Sequence, residues 1–271
     1  STFRNCFDNG YDKTYSQVVR RYVDNGTGKQ NSELISQIYN VLREGYRNEY
    51  YYKNTLLNKL LLGIHSVNTT TALTEIPIAK SKADFVLING KAVVYEIKTE
   101  LDNFDRLENQ INDYYKAFDH VAVVTCKENL QVLKKKIEMI GKPVGIYILQ
   151  KRGTITTIQK PQAYSVELDA EILFKILRKQ EYEEILFNKY KHLPDVSEFK
   201  YYSECKKMFL EIPLEEAYLS VLKLLKKRSQ IIKDEFSKIP YELKFLAYFM
   251  NLKSDDYKKI TKFLNESYGG V

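Results

Sequence analysis

Three residues near the middle of the chain have the types and spacing for metal-assisted phosphoryl chemistry. They are Asp84, then Glu96 and Lys98 in the run Tyr95-Glu96-Ile97-Lys98. Two carboxylates can ligate a hard cation such as Mg²⁺, with phosphate oxygens and water completing its octahedron. Such an ion stabilises charge developing on a phosphorane-like transition state and helps generate a hydroxide nucleophile. An ammonium beside it can orient the attacking water or neutralise the oxyanion. The same residues can equally form a structural ion pair at a sheet end, and the D…E-x-K pattern alone leaves both readings open.

The flanking sequence supplies elements to position them. Thr71–Ile78, Ala83–Ile88 and Ala92–Lys98 are short and rich in β-branched residues, and Asn89-Gly90 between the last two predicts a hairpin. Side chains alternate along a strand, so Glu96 and Lys98 share a face, and hairpin pairing can bring Asp84 near them. The rest of the strand is Val, Val, Tyr and Ile, a buried type in which an unpaired charge is costly. Leu101–Phe118 has helical period with Leu107, Ile111, Tyr115 and Phe118 inward, and Gln110 and Tyr114 share one face of it.

Further along, Val121–Thr125 and Val144–Leu149 read as buried strands, Thr154–Ile158 as an edge strand and Glu128–Ile140 as a lysine-rich helix. Upstream, Leu34, Ile35, Ile38, Val41 and Leu42 mark one helix, and Asn48–Leu62 a second that Gly63 would cap. Residues 1–31 read as polar loops with one short helix near Tyr15–Val23. Gly26-Thr27-Gly28-Lys29 lacks the glycine spacing and the Ser or Thr of a phosphate loop and reads as a turn. From Ala163 onward the pattern is helical: Leu168–Asn188, Ser203–Leu210, Leu214–Phe236 and Tyr241–Glu266, broken by Pro194, Pro213 and Pro240. The expectation is an α/β protein with a mixed sheet flanked by helices and a C-terminal all-helical lobe, divided at 1–31, 32–162 and 163–271.

Taken together, Asp84, Glu96-x-Lys98 and Gln110-x-x-x-Tyr114 resemble the PD-(D/E)XK nuclease superfamily, in particular its RecB-like branch. Residues Tyr95–Val124 are similar to a bacterial and phage family in that superfamily with an E-I-K-[ST]-x-x-D-x-x-x-R-L-x-x-Q-x-x-x-Y run. The resemblance covers about residues 45–150 and implies a restriction-endonuclease-like sheet and a Mg²⁺- or Mn²⁺-dependent deoxyribonuclease. It implies Asp84 and Glu96 as metal ligands with the Ile97 carbonyl as a third, Lys98 as the catalytic lysine, and Gln110 and Tyr114 on the DNA-facing rim. It also implies a glutamate from the helix before the sheet, which Glu49 suits best; Glu44 is the runner-up and Glu75, on the first strand, a different choice. Asp102 and Arg106 match polar positions of the motif, or equally a helix N-cap and a surface pair. Ala83 stands where the motif has proline.

Composition narrows the classes. The chain has 271 residues, 44% hydrophobic and 28% charged, which excludes disorder. Its apolar runs are too short to span a bilayer, and the first residues lack an apolar secretory region, so a cytoplasmic protein without a membrane partner is expected. Cys6, Cys126 and Cys205 are odd in number and far apart, so neither a disulfide framework nor a zinc cluster is expected. His65, His120 and His192 are equally scattered; His65 and His120 read as boundary residues, and any metal would be oxygen-bound. The net charge is +7, and residues 131–162 hold seven basic residues against Glu138 alone. That excess suits DNA, or is a solvated lysine face. Tyr50, Tyr51 and Tyr52 read as packing rather than base stacking. The alternative to an enzyme is a nucleic-acid-binding or regulatory module on the same fold, with the helical lobe serving a protein partner or a homodimer.

Overall fold

The computed structural model describes residues 2–64, 69–228 and 231–269; His65 lies outside them. The chain forms two compact units.

The first unit joins residues 1–67, 150–155 and 229–271. It contains α1 (Thr2–Asn9), α2 (Lys13–Tyr22), α3 (Asn31–Glu44), α4 (Glu49–Leu56) and a π-helical segment at Leu57–Ile64. After a long interval come α11 (Lys233–Ser237), a 3₁₀ turn at Tyr241–Leu243, α12 (Lys244–Phe249) and α13 (Ser254–Asn265). Buried Asn54 ties three of these elements together. Its amide donates to the Tyr39 hydroxyl at 2.9 Å and the Tyr241 carbonyl at 3.0 Å and accepts from the Phe245 amide at 2.9 Å. Asn31 fastens the start of α3 to the end of α13, donating to the carbonyls of Phe263 (3.0 Å) and Glu266 (3.1 Å).

The second unit joins residues 68–149 and 156–228. Its sheet runs in the order β1 (Thr71–Ile78), β2 (Ser81–Asn89), β3 (Lys91–Ile97), β4 (His120–Thr125), β5 (Gly145–Leu149) and, at the far edge, β6 (Ile155–Gln159). The pairs β1–β2 and β2–β3 are antiparallel; β3–β4 and β4–β5 are parallel. The parallel connections carry α5 (Leu107–Tyr115) and α6 (Leu130–Ile140), and α7 (Ala170–Lys175), α8 (Lys179–Tyr190), α9 (Glu198–Leu210) and α10 (Leu214–Lys226) follow the sheet. Val86, Ile88, Val94, Val121, Val123 and Ile146 share a core with Ile111, Tyr115 and Phe118 and with Phe174, Phe209 and Val221 of the later helices. Phe85, Tyr95 and Tyr147 on the opposite face are buried too, with ring centroids 6.2 and 5.6 Å apart along the row. Burial on both faces is why β2–β5 read as continuous apolar runs.

The mixed α/β class, the flanking helices and the helical C-terminal region follow expectation. The compact units do not follow the linear division at 31 and 162. Residues 2–31 form two helices, because Phe3, Cys6 and Phe7 give α1 a buried face. The C-terminal helices separate: α7–α10 belong with the sheet, whereas α11–α13 belong with the N-terminal helices. Gly63 lies within the π-helical segment rather than capping a helix. Tyr51 and Tyr52 are core residues, as packing required. Among the described residues no helix is long and apolar enough to cross a membrane.

Two predictions arise from this packing. A Cβ on Gly145 would lie 2.6 Å from Pro161 Cδ and 2.8 Å from its nitrogen. Gly145→Ala is therefore expected to destabilise the protein by about 1–3 kcal/mol, seen as a lower urea midpoint; an unchanged midpoint contradicts this tight approach. The three cysteines are free and buried. Burial raises all three thiols; for Cys6, burial first and then the Asp12 charge push it up to about 12. Because the thiolate is the nucleophile, the native protein at pH 8 should resist iodoacetamide while the denatured chain alkylates fully. Fast native alkylation would refute it.

Candidate functional site

The strand register builds the site. Phe85 pairs with Tyr95, so the next step along the β2–β3 ladder sets Asp84 opposite Glu96. In β1–β2, Thr74 pairs with Phe85 and Ile76 with Ala83, which brackets Glu75 opposite Asp84. Three carboxylates from three strands thus form a row across the sheet. Oxygens of Glu75 and Asp84 lie within 4.8 Å of each other. Glu75 holds a left-handed backbone at φ 57°, a conformation rarely adopted inside a strand by a residue with a Cβ. Its carboxylate meets Lys82 at 2.5 Å. Asp84 accepts the Ile97 amide at 2.8 Å through Oδ2, and its carbonyl accepts the Thr74 hydroxyl at 2.7 Å.

Glu96 is 2% exposed, and its partners account for how a charge persists there. Oε1 lies 2.9 Å from Lys98 Nζ and accepts from Gln110 Nε2 at 2.5 Å; Oε2 accepts the Tyr114 hydroxyl at 2.5 Å. Gln110 closes the ring, its Oε1 accepting from Lys98 Nζ at 2.9 Å. A carboxylate has about four lone-pair sites; three donors fill three and leave one on Oε2. Burial, followed by the charge and hydrogen bond of Glu96 and then the Asp84 charge, pushes the Tyr114 phenol far up, so it stays protonated and donating.

Helix α5 holds this ring over the end of β3. Leu107, Ile111, Tyr114 and Phe118 face the sheet, so Tyr114 is 0% exposed and belongs to the core. It is therefore not an open rim residue, as the resemblance implied, while Gln110 is partly exposed beside it. The helix starts at Leu107, later than its periodicity suggested, because side-chain-to-backbone bonds hold residues 99–105 in turns. Asp102 accepts from the Thr99 amide (2.7 Å) and hydroxyl (2.6 Å), so it closes a loop rather than capping the helix. Arg106 occupies the N-cap position.

The two upstream glutamates belong to the first unit. Glu49 opens α4 in the first unit and pairs with Lys53 at 2.5 Å. Glu44 ends α3, beside Arg43 at 3.2 Å. Among the described residues, no trio of carboxylate, imidazole or thiol groups close enough to share an ion includes Glu96. His120 opens β4, with Nδ1 2.8 Å from Asp119. In the basic run, Lys142 bonds Glu167 and Asn112, both at 2.5 Å, and Lys134 and Lys135 are exposed.

Two positioning residues carried no sequence signal. Asp113 accepts from the Lys80 amide (3.2 Å) and the Ser81 hydroxyl (2.8 Å), fastening α5 to the β1–β2 turn. Asn129 donates to the Thr99 carbonyl at 3.1 Å, steadying the chain just after Lys98. Neither breaks a periodicity, and each acts on backbone distant in sequence.

Fold and site define a mixed α/β protein with a buried Glu–Lys–Gln–Tyr ring at one end of its sheet. The chain belongs to the bacteriophage P4 protein cII family, whose model matches residues 43–245 and so includes this ring. It is 24% identical over 143 residues to Protein cII of Enterobacteria phage P4, an alignment covering 51% of this chain and 49% of that protein. The chain thus spans about half the length of this curated relative. No solved structure matches it.

Proposed function

We propose that this protein is a metal-dependent nuclease that hydrolyses DNA phosphodiester bonds at Asp84, Glu96 and Lys98, on a restriction-endonuclease-like sheet. The observation that carries the reading is the position of Glu96 and Lys98 on one face at the end of β3, with Asp84 opposite. The donor set suits Mg²⁺ or Mn²⁺: it is all oxygen, and the Glu75 and Asp84 oxygens, within 4.8 Å of each other, are near enough to approach one hard cation. Asp84 would hold the ion with Glu75 beside it; Glu96, engaged in its ring, and the Ile97 carbonyl are the further ligands that the resemblance implies, and Glu49 is the helix candidate. The ion would supply Lewis-acid stabilisation of phosphate charge and a more acidic water.

The protein's own groups set the rest. Tyr114 and Gln110 fix the Glu96 carboxylate, and Gln110 aims the Lys98 ammonium. An ammonium held by two oxygens is preorganised to meet a phosphoryl oxygen without reorienting. Linear single-stranded DNA and supercoiled plasmid incubated with Mg²⁺ or Mn²⁺ should be cleaved, and EDTA should stop the reaction. Absence of cleavage under all these conditions would reject the enzyme.

The closed ring around Glu96 favours a second reading, a non-catalytic nucleic-acid-binding module in which the pair is structural. That reading expects DNA binding with steep salt dependence and no metal-dependent turnover.

A further inference from the structure

We propose that the first unit carries a separate binding site for a nucleoside monophosphate, in the cavity between α2, the loop after it and the segment following α13. The cavity holds about 1100 Å³ and has mixed polar and apolar walls, slightly above the roughly 300–1,000 Å³ usual for small-molecule sites. Two independent features point to a ligand with an anionic group. Arg20 lines the cavity and makes no ion pair or hydrogen bond among the described residues. Ser16 also lines it and is 7% exposed, and its hydroxyl has no hydrogen-bond partner among those residues. The Ser16 oxygen is not among the sealed, unpartnered polar atoms, so it is open to a ligand entering the cavity that it lines.

The remaining wall favours a base over a bare anion. Tyr11 is 63% exposed and Tyr268 is partly exposed, so both offer ring surface for stacking. Tyr268 is steadied by an edge contact to Tyr15 at 6.0 Å. Asn25 and Thr27 add polar groups for the edge of a base. The wall's one carboxylate, Glu266, lies 3.7 Å from Lys262, which offsets its charge. Guanidinium for phosphate, ring for base and hydroxyl for a remaining oxygen make up the chemistry of a mononucleotide. This site is independent of the nuclease reading.

Calorimetric titration of the full chain with adenosine 5′-monophosphate, with adenosine and inorganic phosphate as separate arms, tests it. One monophosphate should bind per chain, more tightly than either fragment. Arg20→Ala should weaken binding about tenfold or more, the loss of a charge-assisted contact. Ser16→Val should weaken it several-fold, and Lys98→Ala should leave it unchanged. Arg20 is exposed, so that variant reports even if Ser16→Val does not fold. No binding, affinity unaltered by Arg20→Ala, or inorganic phosphate bound as tightly as the monophosphate would each overturn the proposal.

Discussion

Lys98→Ala and Asp84→Asn should each lower metal-dependent DNA cleavage by about 10²- to 10³-fold, the usual cost of losing one preorganised charge-stabilising group. The two changes should differ in a second measurement. Asp84→Asn removes ligand charge and should weaken Mn²⁺ binding, read by calorimetry, whereas Lys98→Ala should leave it intact or tighten it by removing a neighbouring cation. Glu75→Gln should resemble Asp84→Asn with a smaller effect, because its oxygen lies beside that of Asp84. Full activity in both Lys98→Ala and Asp84→Asn would place any cleavage elsewhere.

The second large effect is on stability. Glu96→Ala would leave the Lys98 ammonium in a buried setting with only the Gln110 oxygen, while Gln110 Nε2 loses its acceptor. Removing one partner of a buried pair typically costs about 3–5 kcal/mol. Glu96→Ala should therefore unfold at clearly lower urea, followed by circular dichroism. The double variant Glu96→Ala with Lys98→Ala should recover part of that loss, since no uncompensated charge remains. A double variant as unstable as the sum of the singles would show that the two groups do not interact.

Much of the second unit was legible because local chemistry and global packing agree there. Asn89-Gly90 marked the β2–β3 hairpin, and Gly90 takes the left-handed φ of 71° that such a turn requires. Alternation along β3 placed Glu96 and Lys98 together. Helical period put Leu107, Ile111, Tyr115 and Phe118 inward, and all four are fully buried. The same period, followed one residue further, puts Tyr114 in the core; the motif drew it to an open rim instead. The ring that Gln110 and Tyr114 close around Glu96 was not legible, since only three-dimensional placement decides which donors reach a buried carboxylate.

The first unit was hard to read for a different reason. Its core is assembled from both ends of the sequence, and no local pattern records such pairing. Helix α1 is short and polar except for Phe3, Cys6 and Phe7, so its apolar face becomes evident only once α13 lies beside it. Asn54 looks like any polar residue in a helix, yet it bonds three partners, two of them near position 240. Pro213 and Pro240 marked breaks between helices but could not say which compact unit each helix joins.

That sharing of distant segments sets an order of events during synthesis. The second unit needs nothing beyond residue 228, so its strands and helices can consolidate while translation continues. The N-terminal helices, although made first, lack α13 and the Asn31 anchor until the stretch near residue 266 emerges. They must wait with Phe3, Phe7 and Leu34 uncovered, and a ribosome stalled before that point would present a finished α/β body alongside an unfinished helical one.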